Sequence, residues 1–167
     1  NNYGPFQHPE KLIPTVIRKA LSGEPIPVYG KGENIRDWLF VDDHISGMVM
    51  AASKGQLGRK YNFGGDAERR NIDLVHTLCT LLDAAKPRSD GAIYADQISY
   101  VTDRPGHDLR YAVNAERARS ELGWTPATSF EQGMAQTVHW YLSNAQWLAR
   151  DASELHRLGL GQTNKMK

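Results

Sequence analysis

The residues of this chain with chemistry to offer are polar groups spread over segments that read as loops: Asn1, Asn2, Lys11, Tyr29, Arg36, Asn71, Arg104 and His107. A guanidinium presents parallel N–H groups. Arg36, at the start of a strand-like run, and Arg104, before a Pro-Gly turn, therefore suit the paired oxygens of a diphosphate. His107 adds a donor close to Arg104. Taken singly, each Arg reads as a solvated surface charge, and only membership in shared motifs gives the set a joint role.

Absences narrow the chemistry further. The nearest approach to a dinucleotide-binding fingerprint is Gly30-Lys31-Gly32, but position 35 is Ile where a third glycine belongs. The next segment, "RDWLFV", reads as a strand, whereas pyrophosphate binding needs a helix N-terminus there. The Gly-rich segment reads as a hairpin turn. None of the seven Tyr has Lys four positions on, so the Tyr-x-x-x-Lys pair used for proton transfer in hydride chemistry is not in this chain. No catalytic residue is assigned. Asp42, Asp43 and His44 look like a metal cluster, yet adjacent positions at a helix start point apart, and Asp42 or Asp43 reads as the cap. His76 and His139 lie on helices without partners at ligand spacing, and no metal site is assigned.

The elements that must position these groups alternate between helix and strand. "EKLIPTVIRKALSG" places Leu12, Ile13, Val16, Ile17, Ala20 and Leu21 at helical spacing, with Pro14 in the first turns and Gly23 as the stop. Two short β-like runs in "PIPVYGKGENIRDWLFV" precede a helix whose Ile45, Met48, Val49 and Ala52 form one stripe. "KYNFGG" reads as a strand, and Asn71 or Asp73 opens the helix "DLVHTLCTLLDAA". "ISYVTD" alternates like a strand, and "AERARSEL" is a short helix ended by Gly123. Ser129 and Gln132 form a capping box for a helix with Phe130, Met134, Val138 and Tyr141 inward. The periodicity fails after Leu158. This is an α/β pattern without the Val/Ile-rich runs of a doubly wound sheet's centre.

At 167 residues the chain is long enough for one domain with a core. The 20 Lys+Arg and 19 Asp+Glu nearly cancel, so overall charge points to neither nucleic acid nor a membrane surface, and anion binding must be local. No apolar run approaches the roughly 20 residues of a bilayer span, and no signal peptide is visible. Cys79, the single cysteine, reads as a small core residue, and a reducing cytoplasm fits best. Trp124 and Trp140 read as packing residues.

Five stretches, "NNYGPFQHPEKLIP", "PIPVYGKGENIRDWLFVDDH", "YNFGGDAERRNIDLV", "TDRPGHDLRYAVNAERARSELGW" and "FEQGMAQTVHWYL", carry a resemblance. In order and spacing they are similar to the C-terminal half of the dTDP-glucose 4,6-dehydratase family, extended short-chain dehydrogenase/reductases that act on nucleotide sugars. The likeness spans about residues 1–147. "NNYGP" and "RDW-x-V-x-D" admit epimerases and decarboxylases too, whereas "TDRPGHD-x-RYA" is narrower. Position 6 is Phe and position 8 His where the family commonly reads Tyr and Phe.

The resemblance implies an α/β fold: the sugar-nucleotide-binding portion of an extended short-chain dehydrogenase/reductase, without its NAD-binding Rossmann half. Residues 1–150 would be the substrate lobe, with elements that complete the Rossmann domain, and 151–167 a frayed or disordered tail. Asn1 resembles a substrate contact, and Asn2 the nicotinamide side of the cofactor site. Lys11 and Leu12 resemble residues at the nucleotide and its phosphates, Pro27 and Tyr29 the wall of the thymine pocket. Arg36, Asn71, Arg104 and His107 resemble the diphosphate and ribose clamp. The implied whole-protein activity dehydrates dTDP-glucose to its 4-keto-6-deoxy product. NAD is recycled: C4 is oxidised, water leaves across C5 and C6, and hydride returns at C6. The implied assembly is a homodimer in the cytoplasm, and this chain alone is expected to be inactive. The alternatives are a UDP-sugar epimerase, dehydratase or decarboxylase of the superfamily, or a non-catalytic nucleotide-sugar binding fragment.

Overall fold

The computed structural model describes residues 1–103 and 105–148. Arg104 and the tail expected from 151 onward lie outside the described residues. Two helix–strand units form the frame. α1 (Leu12–Leu21) turns its apolar stripe, Ile13, Val16, Ile17 and Ala20, inward, and it leads into β2 (Ile26–Tyr29). α3 (Asn71–Ala85) buries Leu74, Val75, Leu78, Cys79 and Leu82, and a 3-10 turn, Tyr94–Gln97, carries the chain into β6 (Ile98–Val101). β2 and β6 pair in parallel, Ile26 beside Ile98 and Tyr29 beside Val101. Ile26 and Val28 enter the core while Pro27 and Tyr29 face away from it, the period-two alternation of a strand. α4 (Phe130–Ser143) closes the core with Phe130, Met134, Val138 and Tyr141. Each fully buried Leu or Ile of this cluster contributes about 1.5–3 kcal/mol.

Three shorter pairings complete the structure. β1 (Asn2–Tyr3) runs parallel to β4 (Leu39–Phe40). β3 (Ile35–Asp37) lies between β5 (Glu68–Arg70), antiparallel to it, and β7 (Arg110–Tyr111), parallel to it. α2 (Val41–Lys54) packs on a second small core of Leu39, Ala115, Ala118, Leu122 and Trp124. The short helix expected at "AERARSEL" ends in a π-helical turn, Ala118–Leu122, and stops at Gly123 as expected.

Three expectations are corrected. Gly30-Lys31-Gly32 is a tight turn but not a hairpin, because β2 pairs with β6 and β3 with β5 and β7. Gly32 N–H closes the turn onto Tyr29 O at 2.9 Å and Gly32 O accepts from Ile72 N–H at 3.0 Å. With φ +72° at Gly32 and Ile72 N 3.2 Å from where a Cβ would stand, only glycine suits this hand-over. Neither Asp42 nor Asp43 caps α2: the N-cap is Phe40, with no side-chain cap. Buried Asp43 instead accepts from Ala127 N–H and Thr128 N–H, each at 3.0 Å, fixing the approach to α4. "KYNFGG" pairs with no strand among the described residues, since Gly64 and Gly65 press on Asp37 and on the Trp38 carbonyl. Asp37 accepts from Gly65 N–H at 3.1 Å and Ala67 N–H at 2.9 Å, so a side chain holds this segment in place of a ladder.

Candidate functional site

The helix–strand units bring the polar residues to one end. Gln97 at the entry to β6 donates to Lys19 O at 3.3 Å and Glu24 O at 2.8 Å, so both strands begin where α1 finishes. They end at the opposite side, with Tyr29 and Val101 in register. There Asn71 N–H, at the start of α3, donates to Asn34 O at 2.9 Å. The start of α1, with Lys11 and Leu12, lies toward the same end. A crevice beyond the carboxyl ends of parallel strands is where open α/β sheets place ligands.

Val101, Asp108 and Leu109 are fastened at this end. Gly30 N–H donates to Val101 O at 2.9 Å and Ile35 N–H to Leu109 O at 2.7 Å. Asp108 O accepts from Arg36 Nη2 at 2.9 Å and from Asn34 Nδ2 at 3.2 Å. Arg36 also donates through Nη1 to Ile35 O at 2.7 Å, which employs two of a guanidinium's five N–H groups. His107 stands one residue before that carbonyl: its Nδ1 lies 2.7 Å from Asp103 Oδ1 and its side chain is 8% exposed. Tyr29, Arg36, Asn71 and His107 thus share one neighbourhood. The Asn71 Oδ1 atom is buried there without a hydrogen-bond partner among the described residues.

Other assigned residues stand at the margins. Pro27 is half-buried on the same side of β2 as exposed Tyr29. Leu12 is half-buried against the main core, while exposed Lys11 donates to Glu10 Oε1 at 2.7 Å and holds that carboxyl below its usual range. Asn1 is exposed, and its carbonyl accepts from Leu39 N–H at 3.2 Å, ahead of the β1–β4 pairing. Asn2 turns elsewhere: its Nδ2 meets His44 Nδ1 on α2, and Gln7 Nε2 donates to its carbonyl at 2.7 Å. Burial lowers the His44 pKa.

A cavity of about 620 Å³ lies elsewhere, between β3, β5 and β7, lined by Asp37, Glu68, Arg69, Arg110 and Asn114 among others. None of these is an assigned site residue. Its charges satisfy one another: Arg110 forks onto Glu68 at 2.6 and 2.7 Å, and Arg69 pairs with Glu131 at 3.5 Å over the Phe130 ring. Volume alone does not make it the site.

Sequence reasoning did not single out Asn34, Asp103 or the Asp108 carbonyl. Backbone carbonyls carry no residue-type signal, but Asp103 and Asn34 stand inside the matched motifs, four residues before His107 and two before Arg36. Among the described residues no group of three or more His, Cys, Asp or Glu could hold a metal ion, and no helix is long and apolar enough to cross a membrane.

Comparison with known proteins bears on this arrangement. The family model described as GDP-mannose 4,6 dehydratase matches residues 1–137. A dTDP-glucose 4,6-dehydratase of Xanthomonas campestris pv. campestris is 58% identical over 148 residues, covering 89% of this chain and 42% of that protein. The crystal structure of the Bacillus anthracis dTDP-glucose 4,6-dehydratase in complex with NAD superposes with a TM-score of 0.79 at 45% identity, over 90% of this chain and 45% of that one. A Thermotoga maritima UDP-glucose 4-epimerase with UDP-glucose gives a TM-score of 0.75 at 26% identity, over 87% and 44%. The chain spans less than half the length of these relatives.

Proposed function

The chain belongs to the GDP-mannose 4,6-dehydratase family of nucleotide-sugar enzymes, and from that premise we propose that it is the substrate-binding portion of a dTDP-glucose 4,6-dehydratase. The observation that carries this reading is the "TDRPGHD" loop fastened onto Arg36 through the Asp108 carbonyl. Arg36 and His107 would grip the diphosphate and ribose, together with Arg104, which lies outside the described residues. Asn71 Oδ1 would accept from a nucleotide or sugar hydroxyl. Tyr29 and Pro27 would wall the base, and Lys11, Leu12 and Asn1 would flank the nucleotide and sugar. The 58% identity to a dehydratase against 26% to an epimerase favours this over a UDP-sugar epimerase of the same fold.

In this reading the chain binds and orients, which lowers a barrier by fixing the reacting sugar in place. Among the described residues no glycine-rich turn leads into a helix N-terminus, as pyrophosphate binding needs. Gly30-Lys31-Gly32 runs into strand β3, not a helix N-terminus, and Asn2 alone would reach the cofactor's edge. The hydride and proton-transfer groups would come from chain outside these 167 residues, as would the dimer contacts.

The test is turnover. The complete protein carrying this chain, given dTDP-glucose and NAD, should form the 4-keto-6-deoxy sugar, seen by its absorbance. Conversion of UDP-glucose but not dTDP-glucose would contradict the proposal.

A further inference from the structure

His107 cannot aim itself. It sits in a loop between Gly106 and Asp108, and an imidazole on such a loop has two ring nitrogens and free rotation unless something fixes both. Here Asp103 Oδ1 lies 2.7 Å from His107 Nδ1. A carboxylate only accepts hydrogen bonds, so Nδ1 carries the proton and Nε2 is the ring nitrogen left for a second partner. Neutral, that atom accepts from a hydroxyl; protonated, it donates to a phosphate oxygen.

Asp103 is itself seated. Its carboxylate rests on Gly30, where a Cβ would stand 3.3 Å from Oδ2, and Gly30 is bonded to Val101 at 2.9 Å. On the other side of His107, the Asp108 carbonyl is held by Arg36 and Asn34. The ring is thus fixed from three directions: by its Nδ1 partner, by that partner's seat on the β2–β3 turn, and by the backbone of the next residue.

We propose that Asp103 is a positioning residue for nucleotide binding, setting the direction of His107 Nε2 without touching the ligand. The proposal rests on the sugar-nucleotide reading above and adds to it a residue that acts through its neighbour. Such partners are common where an imidazole must present one chosen nitrogen.

The experiment is a double-mutant cycle, with dTDP titrated calorimetrically into the complete protein. His107→Ala should weaken dTDP about tenfold, the loss of one hydrogen bond that includes a charged partner. Asp103→Ala should weaken it about three- to tenfold in the otherwise unaltered protein, yet less than about twofold when His107 is already Ala, because neighbours acting as one unit are not additive. Asp103→Asn preserves size and an acceptor oxygen, so it should recover most of the loss and guards against misfolding as the explanation. Equal losses from Asp103→Ala in both backgrounds overturn the proposal, as does an Asp103→Ala protein that binds normally while His107→Ala does not. If neither His107→Ala nor Arg36→Ala affects dTDP, the site reading itself fails and this proposal falls with it.

Discussion

Asp42 and Asp43 adjoin in sequence and differ entirely in consequence. Asp42 is exposed at the start of α2, while Asp43 is buried and accepts from two backbone N–H groups ahead of α4. Asp43→Ala would leave both donors unmet and should cost about 2–4 kcal/mol. Asp42→Ala loses only a favourable charge near a helix N-terminus, about 0.5 kcal/mol. Urea unfolding of the two variants checks the contrast. Other carboxylates act through pH. Lys19, Arg110, Arg70 and Arg88 hold Glu24, Glu68, Asp73 and Asp90 below their usual values, Asp90 at about 2. A folded pKa below the unfolded one means protonation favours unfolding. Their contribution is therefore complete above the ordinary values of 4.5 for Glu and 3.8 for Asp and fades as pH falls below them. His44, also lowered, adds to the same trend below its usual 6.5. The urea midpoint should fall between pH 7 and pH 3, modestly because these carboxylates are exposed. Residue types together with the matched motifs marked Arg36, Asn71 and His107 as candidates. They did not disclose Asp103 or the Asp108 carbonyl, whose roles depend on which loops meet.

Helices were more legible than strands. The stripes of α1 and α4 and the Ser129–Gln132 box follow from spacing within one segment, and the box forms with reciprocal bonds of 3.2 Å. Ser129→Ala should therefore cost about 1 kcal/mol, read from the urea midpoint. Strand partners are set across the molecule. That is why the turn after Tyr29 reads as a hairpin although β2 joins β6, and why β5, with its run of Glu and Arg, gave no strand signal. At "KYNFGG" the β-like residue types misled, because glycines there meet other backbone. A Cβ on Gly65 would stand 1.8 Å from the Trp38 carbonyl oxygen. Gly65→Ala should accordingly cost several kcal/mol, near the top of the range for point variants, roughly 3–5 kcal/mol. Little or no change in its thermal midpoint would contradict that placement.

Across the whole molecule, one face of α2 has no partner within the described residues: Ile45, Met48 and Val49 are 52%, 55% and 61% exposed. The neighbouring "WLFV" segment is largely covered, with Trp38, Leu39 and Phe40 all buried, because β4 pairs with β1 and packs beneath α4. The α2 stripe alone should then make the isolated chain self-associate on size-exclusion chromatography. Replacing Met48 and Val49 by Lys should shift it toward monomer, whereas a monodisperse unsubstituted monomer would count against that face needing a cover. Near the carboxyl ends of β2 and β6, in the neighbourhood of Arg36, Asn71 and His107, nucleotide binding is tested most directly by titrating dTDP calorimetrically into the complete protein and its Arg36 variants. Arg36→Ala should weaken dTDP roughly ten- to a hundredfold, a contact of about 1.5–3 kcal/mol. Arg36→Lys should recover only part of that, since an ammonium keeps the charge and loses the fork. Unchanged affinity in Arg36→Ala would contradict a nucleotide site at this end of the molecule.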